Sequence, residues 1–228
     1  MTRILLFIVL GFTPIMAQDA HWATAAKNGL GTSNTLASKV WFTLADGVMT
    51  EVFYPTVDMP NVRSLQFLII TGAQTENEID DTVHSLELPN PASLTFRQIN
   101  RAKSGAYTIT KTYITDPRRS SVLIRVELTT QIDAHLFINY VPLNDKSVLM
   151  SNCGLPTLQR RQCTLALGFG ETTAKATATA RASLARGFTA VMREYELGWR
   201  KYVATLPRVE KHQQQFNMAA MVLKGLED

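Results

Sequence analysis

The side chains of this sequence that could carry chemistry are carboxylates, cysteines and a few histidines. Glu51 and Asp58 lie near one another, and Glu76, Glu78, Asp80 and Asp81 form a cluster. Acid–base catalysis needs two such groups held in unlike environments. Massed like charges repel and resist burial, so the 76–81 cluster reads as a solvated loop. Glu51 falls on a strand and reads as a surface residue. His21, His84, His135 and His212 are far apart, with no H-E-x-x-H spacing, and the two cysteines cannot hold zinc alone. No metal site and no cofactor are expected. Nucleophile elbow, phosphate loop and dinucleotide fingerprint are all missing, and Gly168-Phe169-Gly170 has only a fragment of the last. Cys153 and Cys163 enclose a short loop whose closure as a disulfide would contribute roughly 2–3 kcal/mol. Two free buried thiols are the other reading.

The elements that must position these residues are strands first and helices last. Ser38 to Leu44 alternates, Asp46-Gly47 is a strong hairpin signal, and Val48 to Tyr54 returns as the partner strand until Pro55 stops it. Residues 18–37 read as a loop, and Gln74 to Asp81 as an acidic loop. Further strands are expected over Val62–Ile70, Thr82–Leu88, Ser93–Asn100, Ala106–Thr115, Ser121–Thr129, Ala134–Val141 and Gln162–Phe169. Short strands broken by turns argue an antiparallel sandwich, mainly β. From Thr172 to Ala204 helix formers take over, and Leu184, Phe188, Val191, Tyr195 and Trp199 recur at helical spacing. Thr172 or Thr173 is a natural N-cap. A last amphipathic helix runs from Glu210 to Leu226.

The chain has 228 residues, 46% apolar and 18% charged, which excludes a disordered or collagen-like protein. Its net charge of +4 comes from the second half, where Arg and Lys are scattered among acids. Without a dense basic block this is a solvated surface, and no nucleic-acid partner is expected. Met1-Thr2-Arg3, the apolar run Ile4–Phe12 and Ala17 have the three-part pattern of an export signal, cut after Ala17. The run is too short for a membrane anchor, so a secreted or periplasmic protein is expected, free of the membrane after cleavage.

Three blocks resemble a known family. AKNGLGTS (26–33) with SKVWFTLADGVMTEVFYPTVDMPNVRSLQFLI (38–69) resembles the N-terminal domain of bacterial glucodextranases and glucoamylases, of glycoside hydrolase family 15. SLTFRQINRAKSGAYTITKTYITDP (93–117) and LALGFGETTAKATATARASLARGF (165–188) look like later blocks of that domain. GWRKY (198–202) is similar to the linker that follows it, and NMAAMVLKGLED (217–228) to the opening helix of the catalytic domain.

The resemblance implies a galactose-mutarotase-like super-β-sandwich ahead of an (α/α)6 barrel that hydrolyses α-glucosidic bonds with inversion. Inversion uses two carboxyl groups about 6.5–9.5 Å apart. The family's pair lies in the barrel, so no catalytic residue carries over and this chain alone is expected to be inactive. The expected division is a signal over 1–17, sandwich over 18–170, helical linker over 171–207 and the start of a truncated barrel over 208–228. DKSVLMSNCGLPTLQRR (145–161) replaces a much longer stretch that holds several strands in the family.

Binding of α-glucan would use aromatic faces and planar polar groups. Trp41 and Tyr54, with Asp58, Asn61 and Arg63 in the loop after Pro55, are the candidates, and the same loop suits an interface to the barrel. Tyr113 reads as sandwich core, and Trp199 as packing the linker helix on the sheet. A free-standing secreted carbohydrate-binding module and a non-functional gene remnant are the alternative functions.

Overall fold

The computed structural model describes residues 26–72, 74–158 and 160–227. The expected export signal, its expected cut after Ala17, and His21 lie outside the described residues. The chain order is β1 (Gly29–Gly31), β2 (Trp41–Ala45), β3 (Val48–Phe53), β4 (Pro60–Thr71), β5 (Gln74–Asn77), α1 (Glu78–Asp81), β6 (Thr82–Glu87), β7 (Phe96–Ala102), β8 (Tyr107–Thr115), β9 (Ser121–Thr130), β10 (His135–Pro142), β11 (Ser147–Ser151), β12 (Thr157–Leu158), β13 (Gln162–Phe169), α2 (Thr173–Arg186), α3 (Phe188–Val203) and α4 (Gln213–Gly225).

The strands form two sheets in which neighbouring strands are antiparallel. One has the order β1-β2-β3-β4-β10-β12, with β5 also on β4, and the other β11-β13-β9-β8-β7-β6. The first hairpin turns on Asp46 (φ 47°) and Gly47 (φ 76°), two left-handed residues as a twisted two-residue turn requires. Period-two alternation buries Phe42, Leu44, Leu65, Phe67 and Ile69 from one sheet and Ile109, Tyr113, Ile124 and Leu165 from the other. Phe42 and Tyr113 meet with ring centroids 5.8 Å apart. Each such large side chain, fully buried, is worth about 1.5–3 kcal/mol.

The 145–161 segment supplies an edge strand to each sheet. β11 pairs with β13 from Ser147↔Phe169 to Ser151↔Leu165, and β12 pairs with β10 at Leu136↔Leu158. Cys153 and Cys163 form a disulfide, Cα atoms 5.9 Å apart, that ties this segment to β13. A short connection therefore occupies the edge of both sheets where longer chain was expected.

The acidic loop is a correction. Gln74–Asn77 is a strand on β4, and the one-turn α1 carries Glu78 into the interior, where it is 0% exposed. Its carboxylate accepts from Phe67 N (2.7 Å), Asn100 Nδ2 (2.7 Å) and Lys111 Nζ (2.5 Å). Lys111, also fully buried, donates to the Gly47 carbonyl at 2.7 Å. The repulsion argument holds for Asp80, which is exposed, and fails for Glu78 because an ammonium group waits inside.

The single helix expected over 172–204 is two helices. Gly187 adopts φ 78°, a region closed to most side chains, and turns α2 into α3. Thr172 caps α2 by accepting from Lys175 N at 3.3 Å. The small residues of α2 let it lie directly on β13, where a Cβ at Gly168 would overlap the backbone of Ala176 and Ala180. Gly168→Ala is therefore expected to cost about 1–3 kcal/mol by overpacking, read as a lower urea midpoint. An unchanged midpoint would mean that α2 gives way freely.

Candidate functional site

Helices α3 and α4 and the loop before β2 build one face of the molecule. The apolar stripe of α3 buries Phe188, Val191, Tyr195 and Trp199. Arg125 of β9 lies over the Phe188 ring, 4.3 Å from its centroid. The Tyr195 hydroxyl, its pKa raised by burial so that it stays a donor, lies 2.8 Å from the Thr32 carbonyl and 3.1 Å from that of Leu94. The Trp199 indole N–H donates to Thr32 as well, at 3.3 Å. Close packing on the loop explains the glycines of α3 and α4. A Cβ at Gly225 of α4 would overlap Thr32 Cγ2, and one at Gly198 would approach Asn34 Oδ1 to 2.7 Å.

Helix α4 is held by the same face. Met221 is 0% exposed, and the Trp41 indole N–H donates to the Gly225 carbonyl at 2.5 Å. Beside it a groove of about 250 Å³ is lined by Thr35, Lys39, Trp41, Pro55, Thr56 and Lys224.

A charged latch fixes α2 and α3. Asp116, in the β8–β9 turn and 0% exposed, accepts from Ser183 Oγ (2.9 Å), Arg186 (2.7 Å) and its own turn at Arg118 N (3.0 Å). Arg186 pairs in addition with Glu194 of α3, and Arg118 reaches Glu194 at 2.8 Å. In sequence Asp116-Pro117-Arg118-Arg119 has the residues of a turn; folded, the Asp116 carboxylate anchors the helices.

The five candidate residues do not converge. Trp41 is 4% exposed, with its N–H spent on α4, so it serves the helix contact. Tyr54 stacks on Phe169, centroids 5.6 Å apart, half-buried. Asp58 is at an exposed tip, accepting from Thr56 Oγ1 at 2.5 Å. Asn61, 1% exposed, clasps that loop through the carbonyls of Tyr54 (2.5 Å) and Met59 (2.8 Å). Arg63 is half-buried on β4. Tyr113 and Trp199 lie in the core, both 0% exposed. Glu51 is partly buried and pairs with Lys27.

A second concavity escaped the sequence reading. At the edge where β1 and β6 end their sheets, a cleft of about 790 Å³ opens between β1, the 46–47 turn, β6, β7 and α4. Gln98 and Phe96, each 3% exposed, line it from β7, and His84 and Asp46 stand exposed at its rim. The available signal was polar residues at two inward positions of a strand otherwise pointing Phe96 and Ala102 the same way.

Among the described residues no group of three or more His, Cys, Asp or Glu could hold a metal ion. No described helix is long and apolar enough to cross a membrane.

Comparison with known proteins agrees with this architecture. A glucoamylase of Clostridium sp. (strain G0005) is 40% identical over 111 residues, covering 48% of this chain and 16% of that protein. A crystal structure of a bacterial glucoamylase complexed with acarbose superposes with a TM-score of 0.83 at 24% identity, over 91% of this chain and 41% of the other. The chain thus spans less than half the length of either. The family model for glucodextranase, domain N, matches residues 16–148 and 143–204, two stretches that overlap at 143–148. The chain belongs to the glucodextranase domain N family.

Proposed function

We propose that this chain is the non-catalytic N-terminal part of an exported α-glucan hydrolase of the glucodextranase and glucoamylase kind. In this reading the sandwich extends to residue 170, 171–207 is a helical linker, and the helix after 208 opens the catalytic barrel. The observation that carries it is the docked α4. One side of this helix is held by the buried Met221, by the Tyr202 hydroxyl of α3 on the Ala220 carbonyl (3.2 Å) and by the Trp41–Gly225 hydrogen bond to β2, while Leu223 (69% exposed) and Leu226 (41%) face out. A domain built to set the pose of a following helical body would hold its first helix in this manner.

The buried carboxylates support a non-catalytic role, since Glu78 and Asp116 are both committed to cations of the fold. The disulfide suits an oxidising compartment, and the export signal leads there.

A chimaera tests the proposal. Fused to the N-terminus of the catalytic part of the Clostridium glucoamylase, this chain is expected to give a cooperatively folding enzyme that releases glucose from maltooligosaccharides. The chain alone is expected to release none. Glucose from the chain alone, or a chimaera whose two parts melt independently, would overturn the reading.

A further inference from the structure

We propose that the cleft at the open edge of the sandwich binds a short neutral gluco-oligosaccharide, with Gln98 as its buried polar contact. The class of sugar rests on the α-glucan reading above; the site itself rests on geometry.

The interior of a sandwich is ordinarily apolar where two sheets face each other. Here the inward row of β7 passes from Phe96 to Gln98 and Asn100, and the inward row of β8 carries Lys111. Lys111 and the amide nitrogen of Asn100 are explained, since both bond to Glu78 and to the Gly47 carbonyl. Gln98 is not. One end of its carboxamide is 3.0 Å from the buried Tyr113 hydroxyl. The other end has no partner among the described residues, although the side chain is 97% hidden and lines the cleft. Whichever end Tyr113 holds, a single hydrogen-bonding group is presented to the cleft at its floor. A nearly buried amide that opens onto a concavity is met by water in the free protein, and a ligand hydroxyl that displaces that water takes over its hydrogen bond.

The surroundings select a neutral ligand with both polar and C–H surface. Leu30, Leu86, Leu88, Met218 and Val222 give apolar walls, against which the C–H faces of pyranose rings pack. The cationic group of Lys27 is paired with Glu51, and Glu87 lies 3.9 Å from Arg97, which leaves the Asp46 carboxylate at the rim and disfavours an anionic ligand. At the rim His84 has one ring nitrogen, Nδ1, 3.2 Å from the Thr82 hydroxyl, which leaves Nε2 for a sugar hydroxyl, and Asp46 is a second acceptor. The volume lies within the range of about 300–1,000 Å³ usual for small-ligand sites. Gly47 lets His84 pack close at the rim, because a Cβ there would meet His84 Nδ1 at 2.7 Å.

Isothermal titration of the chain with maltotriose and, separately, isomaltotriose tests the site. Saturable binding of at least one is expected, and the stronger of the two names the linkage. Gln98→Leu is expected to weaken it about tenfold or more, as when a site built to hydrogen-bond a hydroxyl loses its polar group. Met218→Trp fills the cleft from α4 without touching a buried polar group. It is expected to abolish binding while the melt remains cooperative, which covers the event that Gln98→Leu fails to fold. No saturable binding of either sugar up to about 50 mM, far weaker than a millimolar site, would overturn the proposal. So would equal binding by wild type and the Met218→Trp variant. An active chimaera without sugar binding by the chain would sink the cleft and leave the domain reading standing; binding without a functional chimaera would do the reverse.

Discussion

Glu78→Ala is expected to lower the folding stability of this chain by about 3–5 kcal/mol, the cost of leaving one member of a buried ion pair alone. The variant strands the Lys111 ammonium, 0% exposed, with the Gly47 carbonyl still accepting from it at 2.7 Å, and it removes the acceptor of Phe67 N and Asn100. Burial already pushes the Lys111 pKa below its ordinary value, and Glu78 works against that shift. Without Glu78 the neutral amine is favoured further in the folded state. The sign follows: a lysine whose folded pKa lies below its unfolded value near 10.5 opposes folding while charged. The variant should therefore gain stability as pH rises from its depressed folded pKa towards 10.5. Adding Lys111→Met removes the stranded charge and should restore a large part of the loss. Urea denaturation at two pH values measures all three. A single variant within about 1 kcal/mol of wild type would mean that water reaches the pair and the interior is not sealed there.

Asp116→Ala is expected to cost about 2–4 kcal/mol, because it leaves Ser183 without its acceptor and Arg186 with Glu194 alone at the joint between sandwich and helices. The loss should be local. Amide exchange would rise across α2 and α3 before it rises in β8 or β9, since the strands keep their own ladder. Exchange that rises equally everywhere would show that the helices and the sandwich unfold as one unit and that the latch has no separate role. Acid weakens the same joint in the wild type. Hydrogen bonds from Arg118 and then Arg186 hold the Glu194 carboxyl below its ordinary 4.5. A carboxylate depressed in the folded state stabilises above its unfolded pKa, so this contribution is complete above about pH 4.5 and fades as pH falls through the folded value.

Both predictions turn on residues whose roles could not be read from their neighbours in the chain. Sequence alone determined the strand-then-helix order, the Asp46-Gly47 hairpin, the core place of Tyr113, an N-cap at Thr172 or Thr173 and the stripe of α3. Each depends on contacts within a turn, a strand period or a helix period, and such periods are written into residue order. It missed β1, β5, β11 and β12, of three, four, five and two residues, because so short a strand shows no alternation and exists only through its neighbour.

Tertiary structure alone decided the charges. Glu78 and Lys111 are 33 residues apart, Asp116 and Arg186 70, and Trp41 and Gly225 184. Whether a carboxylate among other carboxylates meets water or a buried ammonium depends on which strand folds back over it. The same holds for Gln98, an ordinary polar residue until β6, β7 and α4 enclose it. A hydrophobic period is a property of the local chain, whereas the partner of a buried charge or amide is a property of how distant chain closes around it.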